Sequence, residues 1–236
     1  MIKAVTFDLW NTLIRSKDYT SLRIRRMREF LYRHTPAPNE ETIREVYRSV
    51  EDRWHSDPAK DYRFMPVKER VDLLLRKLMA QVDQKLKIAI VRCFEEVLLE
   101  DPPILYGGAK LTLESLYRKY PIGLISDSGF TPGRILRNAL EFRGILKFFR
   151  CTVFSDEVGY NKPNPIIFNR TLELLEVQPK ETIHIGDLPE IDIAGAKRVK
   201  MLTVRINREQ KMASGEYPRP DYQINELCEL MPLLGI

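Results

Sequence analysis

Four acidic residues each follow a short apolar run, and this repeated position predicts a cluster of carboxylates able to do chemistry. They are Asp8, Asp127, Asp156 and Asp187. A single aspartate after a strand usually forms a turn or caps a helix, but four at matching positions indicate a site. Because the carboxyl ends of parallel strands meet at one edge of a sheet, these side chains are expected to lie together. A carboxylate there can attack phosphorus as a nucleophile or bind a hard cation.

The elements that must position these acids begin with one strand and a long helical block. The first strand is predicted at about residues 2–7, and between about residues 19 and 100 only helical periodicity is found. Apolar residues recur there at every third or fourth position, which predicts about four helices. They are expected near residues 20–34, 40–56, 67–82 and 86–98. Four helices are enough for a small bundle.

After Pro103 the pattern changes to alternating strands and helices. Strands are predicted near residues 122–125, 152–154, 182–185 and 202–205. Such alternation predicts an α/β fold, a doubly wound parallel sheet with helices on both faces. The first strand can be buried only by strands that come after residue 103, so the helical block is expected to be an insertion. The predicted domains are a core of residues 1–15 and 104–236 and a helical-bundle cap of residues 16–103.

Composition limits the class of protein. With 44% apolar and 30% charged residues, the 236-residue chain is typical of a soluble globular protein. No apolar run is long enough to span a membrane, and the strand pattern from Ile2 leaves no room for a signal peptide. A cytoplasmic location is therefore expected. Cys93, Cys151 and Cys228 are odd in number and lack a CxxC pair, which argues against disulfides and zinc.

The net charge of +5 is concentrated in a basic segment at residues 22–28. An apolar stripe runs between its arginines, so the segment is interpreted as the solvated face of a helix. We therefore predict neither a nucleic-acid partner nor a membrane partner. Arg23 and Arg26 remain candidate contacts for an anion. Nothing in the sequence indicates the oligomeric state.

Four separated motifs carry a resemblance to a known family. They are Asp8-Leu9-Trp10-Asn11-Thr12, then Ser126, then Lys162 within Gly159–Pro163, and finally Gly186-Asp187 followed by Asp192. Together, in this order, they resemble the haloacid dehalogenase (HAD) superfamily of hydrolases over almost the whole chain. The resemblance implies a Rossmann-like core with a helical cap inserted after the first motif, and a small phosphorylated substrate.

The resemblance also implies roles for individual residues. Asp8 would form an aspartyl-phosphate, Lys162 would be catalytic and would contact the phosphoryl group, and Ser126 would donate a hydrogen bond to it. Thr12 would brace the turn beside the substrate. Mg²⁺ would be the cofactor, held by the residues Asp8, Trp10 (through its main-chain carbonyl), Asp187 and Asp192. Two interpretations stay open: Lys162 as an exposed turn residue, and Asp192 as an acid at a helix terminus.

Trp10 departs from the pattern of the resembling phosphatases, which carry a second aspartate at that position. An indole can neither protonate a leaving alcohol nor activate water near neutral pH. Three functions therefore stay open. The first is a phosphatase or phosphotransferase that uses good leaving groups or another proton donor such as Asp127. The second is a 2-haloacid dehalogenase, although relatives of that kind lack an acid where Asp187 stands. The third is a non-catalytic member that binds a phosphorylated ligand or a protein.

Overall fold

A single parallel sheet forms the centre of the molecule. The structure, a computed structural model, describes residues 1–32, 38–55, 61–208 and 216–236. The sheet has six strands in the order β3-β2-β1-β4-β5-β6, and every neighbouring pair is parallel. The strands are β1 (Ala4–Phe7), β2 (Ile122–Ser126), β3 (Cys151–Phe154), β4 (Thr182–Gly186), β5 (Leu202–Ile206) and β6 (Tyr222–Ile224). The predicted parallel α/β fold is confirmed.

Helices cover both faces of this sheet. They are α5 (Ala109–Tyr117), α6 (Gly133–Phe142), α7 (Ser155–Val158), α8 (Pro165–Leu175), α9 (Ala194–Arg198) and α10 (Leu230–Leu233). Successive β2 residues alternate between the two faces: Leu124 packs in the cluster that includes α5 and α6, whereas Ile125 packs in the cluster that includes α8 and α9. This alternation is the two-residue period expected of a strand buried on both sides.

The long insertion between β1 and β2 is helical, as expected. Its helices are α1 (Tyr19–Tyr32), α2 (Glu40–His55), α3 (Val67–Lys77) and α4 (Gln84–Glu96). They surround a separate hydrophobic cluster that includes Met27, Tyr47, Val71 and Phe94. A separate cluster is what a cap with its own core would have. The division into a core of residues 1–15 and 104–236 and a cap of residues 16–103 stays a prediction.

Two elements of the sheet region are absent from the sequence prediction. Residues 222–224 form the edge strand β6, which follows the last of the predicted strands. Before α9, residues Pro189–Ile193 form a π-helical turn rather than the start of a regular helix. Such turns are rare and occur mainly at functional sites, and this one carries Asp192. In the described part of the chain, no helix is both long and apolar enough to cross a membrane.

Candidate functional site

The ends of β1, β2 and β4 define one edge of the sheet where side chains converge. Phe7 is paired with Leu124 of β2 and with Ile185 of β4. Asp8 therefore lies between the carboxyl ends of two neighbouring strands. From β1 the chain continues to β2 and β3 on one side, and then crosses to β4, β5 and β6 on the other side. Asp8 therefore also lies at the topological switch point, where α/β sheets bind ligands.

Lys162 connects two acids of this edge. Its Nζ donates to Oδ1 of Asp8 at 2.5 Å and to Oδ1 of Asp192 at 2.7 Å. The lysine side chain is only 3% exposed, so it is not the solvated turn residue that the sequence left open. Asn164 accepts from the amide of Ile166 and begins α8, which fixes the loop that carries the lysine. The Lys162 ammonium is thus buried between two carboxylates.

Asp8, Asp187 and Asp192 together could hold a cation. One oxygen from each lies within 4.8 Å of the others. Burial, followed by the negative charges of Asp192 and Asp187, raises the pKa of Asp8 well above its usual value, although Lys162 opposes this. Burial and the charge of Asp192 raise the pKa of Asp187 to about 7. Three carboxylates thus share one lysine, and a cation would offset the remaining charge.

This donor set fits magnesium, because Mg²⁺ prefers hard oxygen ligands. Asp187 is the least constrained of the three acids. Asp192 already accepts hydrogen bonds at both oxygens, from Lys162 at 2.7 Å and from the amide of Leu188 at 3.0 Å. The geometry of Asp192 therefore supports two functions, which are positioning Lys162 and binding a metal ion.

Asp192 reaches the site because Gly186 leaves room for it. A Cβ atom at position 186 would lie 2.4 Å from both Cβ and Cγ of Asp192, a distance that side chains do not tolerate. Burial disfavours charge on Asp192, but the Lys162 ammonium outweighs this and holds the pKa of the carboxyl well below its usual value. The open interpretation of Asp192 as a simple helix-terminus acid does not account for these contacts.

His184 lies behind Asp192 in β4 and is fully buried. One ring nitrogen, Nδ1, lies 3.0 Å from the Thr6 hydroxyl, and Nε2 lies 3.7 Å from Oδ1 of Asp192. Burial lowers the pKa of the imidazole, which keeps it neutral. It is a packed core residue.

The turn after Asp8 is held by an arginine that the sequence did not single out. Arg208 donates from one terminal nitrogen to the carbonyl of Asn11 and from the other to the carbonyl of Thr12 at 2.9 Å. Its guanidinium carbon lies 3.7 Å from the centre of the Tyr106 ring. The Thr12 hydroxyl is buried with no hydrogen-bond partner in the described residues. Arg208, rather than that hydroxyl, braces the turn.

Trp10 packs as an apolar residue. Its half-buried indole lies edge-on to Tyr19, with ring centres 6.4 Å apart, and contacts the hydrophobic cluster of the sheet. The main-chain carbonyl of Trp10 remains the only group through which it could serve a metal. The side chain offers no proton for transfer.

A cavity of about 860 Å³ opens beside Lys162, between the sheet edge and the helical insertion. Asp127 and Arg70 line it together with the lysine. Arg70 is 3% exposed and stands between two phenyl rings, those of Phe64 and Phe130. Its Nε donates to the carbonyl of Met65 at 2.9 Å. The signal for Arg70 was present in the sequence, since it interrupts the apolar stripe of α3.

The two candidate anion contacts of α1 do not share one environment. Arg23 is buried, donates to the Phe94 carbonyl at 3.0 Å and to the Thr131 hydroxyl at 2.8 Å. Arg26 is on the surface and pairs with Glu29 and Glu100. Neither lines the cavity beside Lys162.

A short segment of the insertion is joined directly to the lysine loop. The amide of Asn161 donates to the carbonyl of Tyr62 at 2.7 Å, and the amide of Phe64 donates to the carbonyl of Gly159 at 2.8 Å. The Asn164 side chain adds a bond of 2.9 Å to the carbonyl of Asp61. We refer to the contact between residues 61–64 and 159–164 as the strap. It attaches the helical insertion to the sheet within two residues of Lys162.

Known proteins resemble this chain over nearly its full length. A family model described as haloacid dehalogenase-like hydrolase matches residues 2–200. Glyceraldehyde 3-phosphate phosphatase from Methanopyrus kandleri is 30% identical over 258 aligned residues, covering 99% of this chain and 97% of that protein.

Solved structures share the same architecture. A HAD phosphatase from Thermococcus onnurineus is 26% identical, with a TM-score of 0.74 over 99% of this chain and 98% of that one. A 2-haloacid dehalogenase from Pseudomonas syringae pv. Tomato also has a TM-score of 0.74, at 24% identity over 100% of this chain and 99% of its own. The second likeness concerns the fold alone. The two chemistries are thus carried on one architecture, and the site residues must distinguish them.

Proposed function

The chain belongs to the haloacid dehalogenase-like hydrolases, and on that premise we propose that it is a magnesium-dependent phosphatase acting through an aspartyl-phosphate on Asp8. The observation that carries the proposal is the placement of Lys162. A buried ammonium within hydrogen-bond distance of the Asp8 carboxylate is positioned to attract the phosphoryl group to the atom that would attack it.

The proposed reaction begins at the Asp8 carboxylate. One oxygen attacks phosphorus and the ester oxygen departs, which divides a difficult hydrolysis into two easier steps. Lys162 neutralises charge on the transferring group. The Ser126 hydroxyl is buried at the end of β2, where it donates to the Asp127 carbonyl at 3.2 Å, and it would donate to the transferring group instead when substrate is bound. Thr12 stands beside this site in the turn that Arg208 holds. Water then releases phosphate from Asp8.

Magnesium would be held by Asp8, the Trp10 carbonyl, Asp187 and Asp192, and would supply charge neutralisation that allows a carboxylate to approach an anionic ester. The raised pKa values of Asp8 and Asp187 support this assignment, because they indicate acids that lack sufficient positive charge around them. A soft or thiolate-binding metal is not supported by a donor set of oxygens alone.

The proposed substrate is a small phosphorylated molecule. The M. kandleri relative is a glyceraldehyde 3-phosphate phosphatase, so we propose that compound and similarly small phosphate esters as the first candidates. A cavity of about 860 Å³ that contains Lys162 and Arg70 is consistent in size and charge with such ligands.

Release of inorganic phosphate tests this function. Purified protein is incubated with glyceraldehyde 3-phosphate, with other phosphate monoesters and with 2-chloropropionate, each with Mg²⁺ and with a chelator. We expect phosphate release that the chelator removes and that added Mg²⁺ restores. Release of chloride in the presence of the chelator would instead identify a dehalogenase. Binding of phosphate esters without turnover of any of them would identify the non-catalytic alternative.

A second prediction concerns the arginine that braces the turn after Asp8. Arg208→Gln is expected to lower kcat or Mg²⁺ affinity by roughly 10- to 100-fold. The reason is that Arg208 holds the carbonyls of Asn11 and Thr12, which directly follow Trp10, a proposed metal ligand. The measurement is the initial rate as a function of Mg²⁺ concentration.

Arg143→Gln is the matched control for this prediction. Arg143 donates to the carbonyls of Pro103 at 2.8 Å and Pro102 at 2.5 Å and lies over the Phe142 ring, in the same manner as Arg208 but away from the sheet edge. We expect the control to change thermal stability without changing the Mg²⁺ dependence. Equal effects of both substitutions on Mg²⁺ dependence would refute the positioning role of Arg208.

A further inference from the structure

Asp127 is a carboxyl group in the cavity that the proposed reaction has not used. It follows Ser126 directly at the end of β2, and its side chain lines the cavity beside Lys162. Because Phe7 is paired with Leu124, Asp127 lies beyond Asp8 along the same sheet edge. It lines the cavity and is not one of the three carboxylates that could hold a cation.

One oxygen of Asp127 is fixed by the backbone of the lysine loop. The amide of Lys162 donates to Oδ1 at 2.9 Å. The Asp127 side chain lies in the wall of the cavity. Lys162 therefore contacts two carboxyl groups: its amide holds Asp127, and its ammonium holds Asp8. A second acid is thus joined to the attacking one through a single residue.

Charged groups surround Asp127 from both sides of the cavity. Lys162 and Asp192 face it from the sheet, and Arg70 faces it from helix α3, with Glu51 also lining the cavity. Burial is the largest influence and raises the pKa of Asp127 to about 6, although Lys162 and Arg70 oppose it. An acid with a pKa in this range can both give and accept a proton near neutral pH.

Trp10 cannot act as the proton donor or acceptor. Its indole packs against Tyr19 and the sheet cluster, and it can neither give nor accept a proton near neutral pH. On these grounds we propose that Asp127 protonates the leaving group and then activates water, replacing the acid that position 10 lacks. The inference rests on the proposed phosphatase function and assigns a further catalytic residue to it.

The proposed steps balance in atoms and protons. In the first, the bond between phosphorus and Asp8 forms, the ester P–O bond breaks, and the Asp127 proton moves to the departing alkoxide. In the second, water attacks the phosphoryl group and gives a proton to the Asp127 carboxylate, and the bond to Asp8 breaks. The products are an alcohol and inorganic phosphate, and Asp127 is protonated again.

Asp127→Asn tests this role, since the amide oxygen can still accept from Lys162 while the acidic proton is lost. kcat is measured for wild type and variant on phosphate esters whose leaving alcohols range from acidic phenols to alkyl alcohols. We expect alkyl esters to lose about 100-fold or more, because their alkoxides need a proton, and acidic aryl esters to change by less than about threefold. Wild-type kcat on alkyl esters should fall as pH rises through about 6, and this dependence should be absent from the variant.

Two further variants separate catalysis from structure. Asp127→Glu keeps an ionisable acid and is expected to recover part of the alkyl ester rate together with its dependence on pH. A residue needed only as a hydrogen-bond acceptor would be replaced as well by asparagine as by glutamate. The sequence grouped Asp156 with the acids of the site, but in the structure its oxygens accept from the Gly133 amide, and it belongs neither to the carboxylate cluster nor to the cavity lining. Asp156→Asn is therefore the matched control. Its profile across leaving groups should match wild type.

The outcomes distinguish this inference from the function on which it rests. If Asp127→Asn affects alkyl and aryl esters equally, or affects neither, Asp127 is not the proton donor, even where turnover still requires Asp8. If turnover does not require Asp8, the proposed function itself fails. Should Asp127→Asn not fold, as judged by its circular dichroism, the Asp127→Glu rates and the wild-type pH profile decide in its place.

Discussion

Replacing Asp8 with asparagine is expected to lower kcat by roughly 10⁴-fold or more, the largest effect of any single substitution in this chain. The covalent intermediate cannot form when the attacking oxygen becomes an amide, and removing a nucleophile costs far more than removing a supporting group. The measurement is single-turnover phosphate release with Mg²⁺ present, on aryl and alkyl esters alike.

This loss should not come with a loss of stability. The pKa of Asp8 is raised because its charge is buried and lies near Asp192 and Asp187, so the neutral amide removes repulsion while Lys162 keeps its contact with Asp192. We therefore expect the thermal midpoint of Asp8→Asn to equal or exceed that of wild type.

The aspartyl-phosphate intermediate can also be detected directly. Acid-quenched wild-type protein should carry one phosphoryl group, found by peptide mass analysis on the segment that contains Asp8, and Asp8→Asn should carry none. Phosphoryl transfer at an undiminished rate in Asp8→Asn would contradict the assignment of the nucleophile.

The second large effect is expected for Lys162→Met, which removes the buried ammonium without changing side-chain length greatly. We expect kcat to fall by about 10²- to 10³-fold through loss of charge stabilisation. The free energy of unfolding should fall by about 3–5 kcal/mol near neutral pH, because Asp8 and Asp192 are left buried without their cation. Urea denaturation measures this difference.

The pH dependence of that difference identifies its cause. In wild type the pKa of Asp192 is lowered, so its contribution to stability is present above its unfolded pKa of about 3.9 and is lost as pH falls through the lower folded value. In Lys162→Met the acids have no cation, their pKa values rise, and protonation relieves them. The difference in free energy of unfolding between wild type and Lys162→Met should therefore become smaller as pH is lowered from about 7 to about 5.

Lys197→Met is the control for the stability measurement. Lys197 pairs with Asp221 at 2.5 Å, but each side chain is 27% exposed. An ion pair near the surface contributes about 1 kcal/mol or less to stability, so Lys197→Met should lose little free energy of unfolding. That small loss should not change between about pH 7 and about pH 5. A similar deficit for both variants would argue against burial as the cause of the Lys162 effect.

Much of the fold followed from the sequence because its signals are local. Strands β1 to β5 are short apolar runs, and Asn164-Pro165 marks the start of α8 through a side-chain cap and a proline in the first turn. The convergence of strand ends then placed Asp8 near Asp187 without any knowledge of contacts. Periodicity alone separated the helical insertion from the sheet.

What the sequence could not supply depends on contacts between distant segments. Arg208 lies next to a polar stretch, and nothing local indicates that it holds the carbonyls of residues about two hundred positions earlier. β6 is short and its first two residues are exposed, so it lacks the apolar run of the other strands. The sequence offered Asp127 as an alternative proton donor, but its hydrogen bond with the Lys162 amide joins segments 35 positions apart and has no local signal.

The strap couples the position of the helical insertion to that of the lysine loop. Because residues 61–64 are hydrogen-bonded to residues 159–164, the insertion cannot lift from the sheet there without breaking backbone bonds beside Lys162. A change in the position of the insertion at this point would therefore act directly on the loop that holds the Lys162 ammonium against Asp8.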